Sequence, residues 1–320
     1  MRGIFVIFKK EMEDHFSSMR FLLISALIVM VGVIITSMVG MAIQEELKGM
    51  AKPTLIFLLL FTATGKLFSF VQFIGFFGPL IGIILGFDAI NRERVSRTLS
   101  KLLSQPIYRD SVINAKFLAG VTTIAIVLVG IVLIITGLGL KLIGVVPGPE
   151  EIFRLVIYLV TSLLYIAFWL GVSILFSVIF RSTATSALAS LAVWIFFSFF
   201  LSLGAGVLAD AIVPIGQSAQ ANPEVVIKHA QVQQTLSLFS PMTLYSEATS
   251  TILDPMRKTT SAIVLMGPLE RLSLTRFQNP LPLLQSFVIV IPHLISIVAI
   301  TFLCFGICYL VFMRQEVRAV

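Results

Sequence analysis

Six apolar stretches along the chain are each long enough to cross a lipid bilayer as a helix. A hydrocarbon core of about 30 Å needs about 20 consecutive apolar residues. Stretches of that length occupy residues 21–43, 67–87, 117–140, 152–179, 184–208 and 283–312. The pattern predicts an all-α membrane protein with six transmembrane helices, in which residues 1–320 form a single transmembrane domain. A further apolar run at 53–64 is too short to span, and it predicts a re-entrant or interfacial segment.

The first twenty residues, 1–20, predict a helix that lies in the membrane surface. Apolar side chains recur there at helical spacing, and charged side chains occupy positions between them. The apolar positions are Ile4, Phe5, Phe8 and Met12, and the charged ones include Lys9, Lys10 and Glu13. A plain N-terminal extension of the first span is the alternative.

A long segment between the fifth and sixth spans, residues 211–282, is less apolar than the spans. Ser240-Pro241 has the form of a helix start, a capping hydroxyl followed by proline at the first helical position. Asp254-Pro255 and Asn279-Pro280 interrupt the remainder of the segment. We expect short amphipathic helices in this segment, on the outer surface of the membrane.

The composition narrows the class of protein, and the charges set its orientation. The chain is 58% hydrophobic and 12% charged, with a mean hydropathy of +1.02. A soluble domain is about 25% charged and a disordered chain is poor in apolar residues, so both are excluded. Lysine and arginine are densest in residues 88–116, so the positive-inside rule predicts that this segment and both termini are cytoplasmic. Segment 211–282 is then extracytoplasmic. The net charge of +7 comes from cations that flank the spans, and we expect no nucleic-acid partner.

Several kinds of reactive site have no matching pattern in the sequence. The nearest approach to an ATP-binding phosphate loop is Thr64-Gly65-Lys66-Leu67, which lacks the upstream glycine and the final hydroxyl. The three histidines have no metal-ligand spacing, and Cys304 and Cys308 alone form no zinc or disulfide pattern. We therefore expect no catalytic residue, no metal site and no cofactor bound by this chain. His293 lies within the last span and is either a functional polar residue or an interfacial one.

The segment 88–120 carries the most informative pattern. Leucine and valine recur at i, i+4, i+7 and i+8 from Val95, which predicts a short amphipathic helix that ends at Pro106. Asp110 or Ser111 can cap the next helix, which leads into the third span. A helix that only anchors to lipid headgroups is the alternative.

These residues resemble the loop between the second and third spans of type-2 ABC-transporter permeases, especially the NosY-like branch. That family shows E-R-x-x-G-T-L, then L-L-S-x-P, then an arginine and a later G-K. The matching residues here are Glu93-Arg94, Thr98-Leu99, Leu102-Leu103-Ser104, Pro106, Arg109 and Lys116. Arg97 and Ala115 stand where the family has glycine.

The resemblance implies the membrane subunit of an ATP-driven exporter in the plasma membrane. Such a permease dimerises with itself or a related permease and binds two cytoplasmic ABC ATPase subunits, which hold the ATP and Mg²⁺. The N-terminal helix would be the family's elbow helix, and the loop helix a coupling helix that sits in a groove of the ATPase. The implied coupling residues are Glu93, Arg94, Arg97, Thr98, Leu99, Leu103, Pro106, Arg109 and Lys116.

Within that set, the resemblance suggests individual roles. Glu93 would pair with a cation of the partner or cap a local turn. Arg94 and Arg97 would reach carboxylates of the partner. Leu99 and Leu103 would pack against the partner or the helix's own membrane base. The very apolar spans favour a lipid, peptide or drug-like amphiphile as substrate over an ion.

Two further questions stay open in the sequence. Ser182, Ser186 and Ser190 recur every four residues at the start of the fifth span. Small residues at this spacing allow close helix packing, either between subunits of a dimer or within one subunit. As alternatives to the permease, a six-span scaffold without transport would lack an ATPase partner, and a membrane-integral enzyme would need clustered catalytic residues, which are missing.

Overall fold

The computed structural model describes residues 2–46, 55–62, 69–96, 98, 108–214, 223–257 and 280–315. All regular elements in these ranges are helical. The α-helices are α1 (Arg2–Ser17), α2 (Met19–Glu46), α3 (Leu59–Thr62), α4 (Phe70–Gly86), α5 (Asn91–Val95), α6 (Arg109–Ile143), α7 (Pro149–Ile179), α8 (Thr183–Ile195), α9 (Leu201–Ile212), α10 (Pro223–Ser237), α11 (Pro241–Leu253) and α12 (Leu283–Arg314).

Six of the described helical segments are long and apolar enough to cross a membrane. They are Met19–Glu45, Phe70–Val95, Arg109–Ile143, Pro149–Ile179, Thr183–Phe200 and Leu283–Arg314. Each of them overlaps one of the six apolar stretches, so the prediction of an all-α protein with six candidate spans is confirmed.

Local sequence signals explain where several of these helices begin and end. Ser69 and Gln72 form a reciprocal capping box at the start of α4. Pro149 is the first residue of α7, where its missing N–H costs nothing. Gly144 ends α6 with φ of 67°, a left-handed conformation that glycine adopts without steric cost.

The helix α7 is the centre of the bundle and contacts α4, α6, α8, α11 and α12. Its closest neighbour is α4, which approaches through glycine. A Cβ atom added to Gly82 would lie 2.7 Å from the Ile166 carbonyl oxygen and 2.8 Å from the Leu170 nitrogen. Because the two backbones meet at this distance, a side chain at Gly82 would force the helices apart.

The short apolar run between α2 and α4 is described for residues 55–62. It forms a 3₁₀ turn, Ile56–Leu58, followed by α3, and most of its side chains are buried. The backbone N–H of Phe57 donates to Glu151 Oε1 at 2.9 Å. These eight residues are too short to cross a bilayer, so this part of the run is not a span.

The helix α10 packs against α9, whereas α11 packs against α7 and α12 and is largely buried, although the sequence predicts short helices on the outer surface for this segment. Ser240 Oγ, just before α11, donates to the Phe197 carbonyl oxygen in the middle of the fifth span. Tyr245 is fully buried and stacks on Tyr165 with ring centroids 4.5 Å apart. The sequence misled because Thr249 and its neighbours look polar, whereas the Thr249 hydroxyl donates to the Tyr245 carbonyl and is buried.

The fifth span is not a regular α-helix. A π-helical turn, Phe196–Phe200, joins α8 to α9. Phe196, Phe199 and Phe200 are exposed on the chain, whereas Ala205 and Ala209 are buried. A π-helical turn holds one residue more than an α-helical turn.

Candidate functional site

The coupling residues predicted from the sequence lie at one end of the bundle, which we call the Glu93 end. Here the C-terminal ends of α4, α7 and α12 meet α1, α5 and the start of α6. The opposite end, called the Arg154 end, joins the start of α7 to the end of α11 and the start of α12.

Four charged side chains form a cluster at the Glu93 end, which we call the charge cluster. Glu93 Oε1 accepts from Lys10 Nζ at 2.8 Å and lies 3.7 Å from Lys116 Nζ. Lys116 Nζ donates to Glu11 Oε1 at 2.7 Å. The side chains of Glu11, Glu93 and Lys116 are 4–9% exposed.

The alternation of signs explains why these charges can be buried. A buried ion costs several kcal/mol unless an opposite charge and hydrogen bonds compensate it, and each member of the cluster has an opposite charge next to it. Burial lowers the pKa of Lys10, but the hydrogen bond to Glu93 and the charges of Glu11, Glu93 and Asp14 outweigh it. The pKa of Lys10 is therefore raised above its ordinary value.

His15 lies one helical turn beyond Glu11 on α1, beside the same cluster. Burial lowers the pKa of His15 from its ordinary value, and the positive charges of Lys116 and Arg92 act in the same direction. The charges of Glu11 and Asp14 oppose this change without reversing it. The folded protein therefore favours the neutral form of His15.

A second group at the same end, called the carbonyl clamp, consists of Arg94, Arg109 and Gln315. Arg94 donates to the carbonyl oxygens of Val178 and Phe180 and to the Gln315 side chain. Arg109 donates to the Gln315 carbonyl oxygen at 3.0 Å. The clamp thus joins the end of α7 and the end of α12 to both flanks of the segment between α5 and α6.

The start of α5 is fixed by a serine from α7. The Ser177 hydroxyl accepts from the backbone N–H groups of Ile90 and Asn91, at 3.0 and 3.2 Å. These donors have no partner within a helix that begins here, so the hydroxyl satisfies groups that would otherwise be buried and unpaired. The orientation of α5, and with it that of Glu93, depends on this contact.

The structure brings together five of the nine predicted coupling residues. Glu93 and Lys116 are in the charge cluster, Arg94 and Arg109 are in the carbonyl clamp, and the Thr98 hydroxyl donates to the Glu93 carboxylate. The cations beside Glu93 belong to its own chain. Arg97, Leu99, Leu103 and Pro106 lie outside the described residues.

The serines of the fifth span are placed by contacts within the chain. Ser186 and Ser190 are fully buried, and Ser190 Oγ donates to the Ser186 carbonyl and lies 3.3 Å from Ser173 Oγ of α7. Ser182 Oγ accepts from the Thr185 N–H at the start of α8. Ser186 and Ser190 therefore face α7 of the same chain.

At the Arg154 end, a fully buried arginine binds backbone oxygens. Arg154 donates to the carbonyl oxygens of Ile252 at 2.7 Å and Leu281 at 2.6 Å, and also to Ser286 Oγ. Its ion-pair partner, Glu150, lies on the same helix at 2.8 Å. Arg154 fastens the end of α11 and the start of α12 to α7.

The sequence analysis missed Lys10, Glu11, Gln315 and Arg154. Two signals were present. Glu11 and His15 continue the helical stripe begun by Ile4, Ile7 and Phe8, so polar residues stand at positions that face inward. Arg154 lies inside an apolar span, where a charge is a functional hypothesis by default.

His293 also has a partner that the sequence did not suggest. Its Nε2 lies 3.0 Å from Glu247 Oε2 of α11, and both side chains are mostly buried. The Nδ1 atom is buried without a hydrogen-bond partner. The pair links α11 to α12. In the part of the chain that the structure describes, no group of three or more metal-ligating side chains occurs.

Comparison with known proteins gives one match. The model of a family described as ABC-2 family transporter protein matches residues 5–317, nearly the whole chain. A search of curated proteins found no similar sequence. The match covers both ends of the bundle and all six candidate spans.

Proposed function

Since the chain belongs to the ABC-2 transporter family, it is a multi-pass membrane protein and a permease component of an ABC transporter, and we propose that it drives export with energy from a separate ATPase. Members of this family work with a cytoplasmic ABC ATPase and are not themselves catalytic. The proposed permease is of the NosY-like branch and works in the plasma membrane as a dimer with two ATPase subunits. ATP and Mg²⁺ bind to those subunits.

In this proposal the Glu93 end is cytoplasmic, with both termini, and the segment around α5 receives the ATPase. The helix α1 is the elbow helix, and the segment that contains α10 and α11 belongs to the extracytoplasmic side. Residues 88–116 are the cytoplasmic coupling loop, and the helix that the sequence predicts there, which ends at Pro106, is the coupling helix. The positive charges of residues 88–116 support this orientation.

The observation that carries the proposal is the anchoring of both flanks of residues 97–107. Upstream, Glu93 and Arg94 bind α1, α6, α7 and the residue after α12. Downstream, Arg109 binds the end of α12, and Lys116 binds α1. A force applied to the segment would therefore act on four helices through charged hydrogen bonds, which is what a coupling element needs. A lipid anchor would not need these connections.

Contact with the ATPase is tested by photo-cross-linking in native membranes. Val95 and Tyr108, at the edges of the segment, are 72% and 82% exposed. We expect benzoylphenylalanine at Tyr108 to cross-link to a protein with a phosphate-loop ATPase motif. The control is the same residue at Val146, which is 79% exposed and lies near the Arg154 end. Absence of an ATPase among the Tyr108 products would contradict the proposal.

Coupling is tested on the purified complex of permease and ATPase. We expect Glu93→Gln to reduce membrane-subunit-dependent ATPase activity about tenfold, while the complex still assembles. Glu13→Gln is the matched control, because the Glu13 side chain is 69% exposed on α1 and lies 3.9 Å from its partner Lys9. If Glu93→Gln and Glu13→Gln had equal ATPase activity, Glu93 would have no role in coupling.

A further inference from the structure

Two adjoining cavities open at the Glu93 end, on the side where α1 passes into α2. Their volumes are about 570 and 510 Å³, a size typical of sites for small ligands. Their common boundary is lined by residues from α1, the start of α2 and the α4–α5 region. These shared residues are Asp14, Ser18, Arg20, Asp88, Arg92 and Ser96.

The larger cavity has a charged boundary and an apolar wall. Val6, Phe21 and Leu85 contribute to that wall. On α1, Phe5 and Val6 are about two-thirds exposed, so the wall continues into a surface that faces lipid. A ligand that fits this arrangement has a polar head and an apolar tail.

The depth of the shared boundary in the membrane also favours a ligand with a polar head and an apolar tail. Arg20 is the second residue of α2, and Asp88 follows directly after the apolar part of the second span. Charged side chains at the end of an apolar span lie among the lipid headgroups. The Arg20 guanidinium also lies 5.6 Å from the centre of the Phe87 ring, which holds it at this level.

The boundary offers two cations, Arg20 and Arg92, and two anions, Asp14 and Asp88, and the ion pairs that the two aspartates make are weak. Arg20 and Asp88 are 3.5 Å apart, and Asp14 lies 3.8 Å from Lys10, with the outer partners well exposed. Such exposed pairs contribute little free energy, so a ligand can replace them. The charge cluster deeper in the cavity differs, because its shorter bonds satisfy Glu11, Glu93 and Lys116 internally.

We propose that these cavities bind one zwitterionic phospholipid headgroup, with its phosphate between Arg20 and Arg92 and its ammonium beside Asp14 and Asp88. Arginine binds phosphate oxygens through paired N–H donors, and the hydroxyl of Ser18 adds a further donor. A purely anionic headgroup would fit less well, because it would bring the two aspartates close to uncompensated negative charge. The inference needs only the membrane location and is independent of coupling to an ATPase.

The test is native mass spectrometry of the full chain released from vesicles of equal parts phosphatidylethanolamine, phosphatidylcholine and phosphatidylglycerol. We expect one retained phosphatidylethanolamine per chain. The double variant Arg20→Gln/Arg92→Gln should reduce its retention at least tenfold. The control, Arg181→Gln, removes an exposed arginine at the same end and should retain the lipid.

Further arms separate the alternatives. Asp14→Asn/Asp88→Asn should shift retention towards phosphatidylglycerol, since the boundary then carries a net positive charge. Inorganic phosphate should not displace the lipid, and displacement would assign the site to free phosphate instead. The proposal would be overturned if the double arginine variant retained as much lipid as the unmodified chain. It would also be overturned if the unmodified chain preferred phosphatidylglycerol, or if Arg181→Gln lost as much lipid as the double arginine variant.

Discussion

The two ends of the bundle bury charge in different ways. At the Glu93 end, Glu11, Glu93 and Lys116 are satisfied by side chains of opposite charge. At the Arg154 end, a single guanidinium binds two backbone carbonyl oxygens and a serine hydroxyl. Side-chain partners can be exchanged or removed together, whereas carbonyl groups are always present. The Arg154 junction is therefore fixed, as is the carbonyl clamp, whereas the charge cluster at the Glu93 end has contacts that can rearrange.

The largest expected effect is the loss of Arg154. In Arg154→Met the carbonyl groups of Ile252 and Leu281 lose their donor and stay buried, so we expect the free energy of unfolding to fall by about 3–5 kcal/mol. Adding Glu150→Gln should recover little of it, because the carbonyl groups remain. Unfolding followed by circular dichroism in mixed micelles measures both. The fixed junction would be contradicted if Arg154→Met lowered the free energy of unfolding by less than about 1 kcal/mol, or if Arg181→Gln lowered it as much.

A smaller and partly reversible loss is expected at the Glu93 end. Glu11→Gln and Lys116→Gln should each destabilise the protein, because each leaves a buried charge with fewer opposite charges. The double variant removes both charges, so it should be more stable than the sum of the single losses predicts, by about 1–3 kcal/mol. The same unfolding assay completes this double-mutant cycle. Additive losses would remove the contrast between the two ends.

His15 should make the Glu93 end sensitive to acid. Because the folded pKa of His15 is lowered, its neutral form favours the folded state, and that contribution is present above pH 6.5 and lost as the pH falls towards the folded pKa. We expect His15→Gln to lose less stability than the unmodified chain between neutral and acidic pH. His229→Gln, at a histidine that pairs with Asp210 on α9, controls for general acid effects. Parallel pH curves for the unmodified chain and His15→Gln would contradict this prediction.

The smallest expected effect is at Lys10, whose side chain is half exposed. Its raised pKa means that the ammonium stabilises the folded state below pH 10.5, and this contribution is lost as the pH rises through the folded pKa. Lys10→Gln should lower the free energy of unfolding by about 0.2–1 kcal/mol at neutral pH. As the pH rises through the folded pKa of Lys10, the free energies of unfolding of Lys10→Gln and of the unmodified chain should converge. A difference that persists at high pH would mean that the lysine acts through packing.

The sequence predicted the spans well because apolar length is a strong signal, and each candidate span overlaps its predicted stretch. It also selected Glu93, Arg94, Thr98, Arg109 and Lys116, which do lie together. Their partners could not be inferred, since Lys10 is 83 positions from Glu93 and Gln315 is 221 positions from Arg94. The buried position of α11 was missed for a similar reason. Tyr245 is buried through contacts with α7, a helix far away in the sequence.

The π-helical turn of the fifth span bears on how this helix keeps its register. Ser186 and Ala205 are 19 positions apart, as are Ser190 and Ala209, and all four are buried. Five regular turns take about 18 residues, so in an uninterrupted α-helix the second pair would be rotated by about 100°. The extra residue in Phe196–Phe200 absorbs that rotation. A chain with one residue deleted there would have 18 positions between the members of each pair, which is five regular turns, so Ala205 and Ala209 would keep their face without the π-helical turn. The π-helical turn therefore accommodates one extra residue without changing which faces of the two halves are buried.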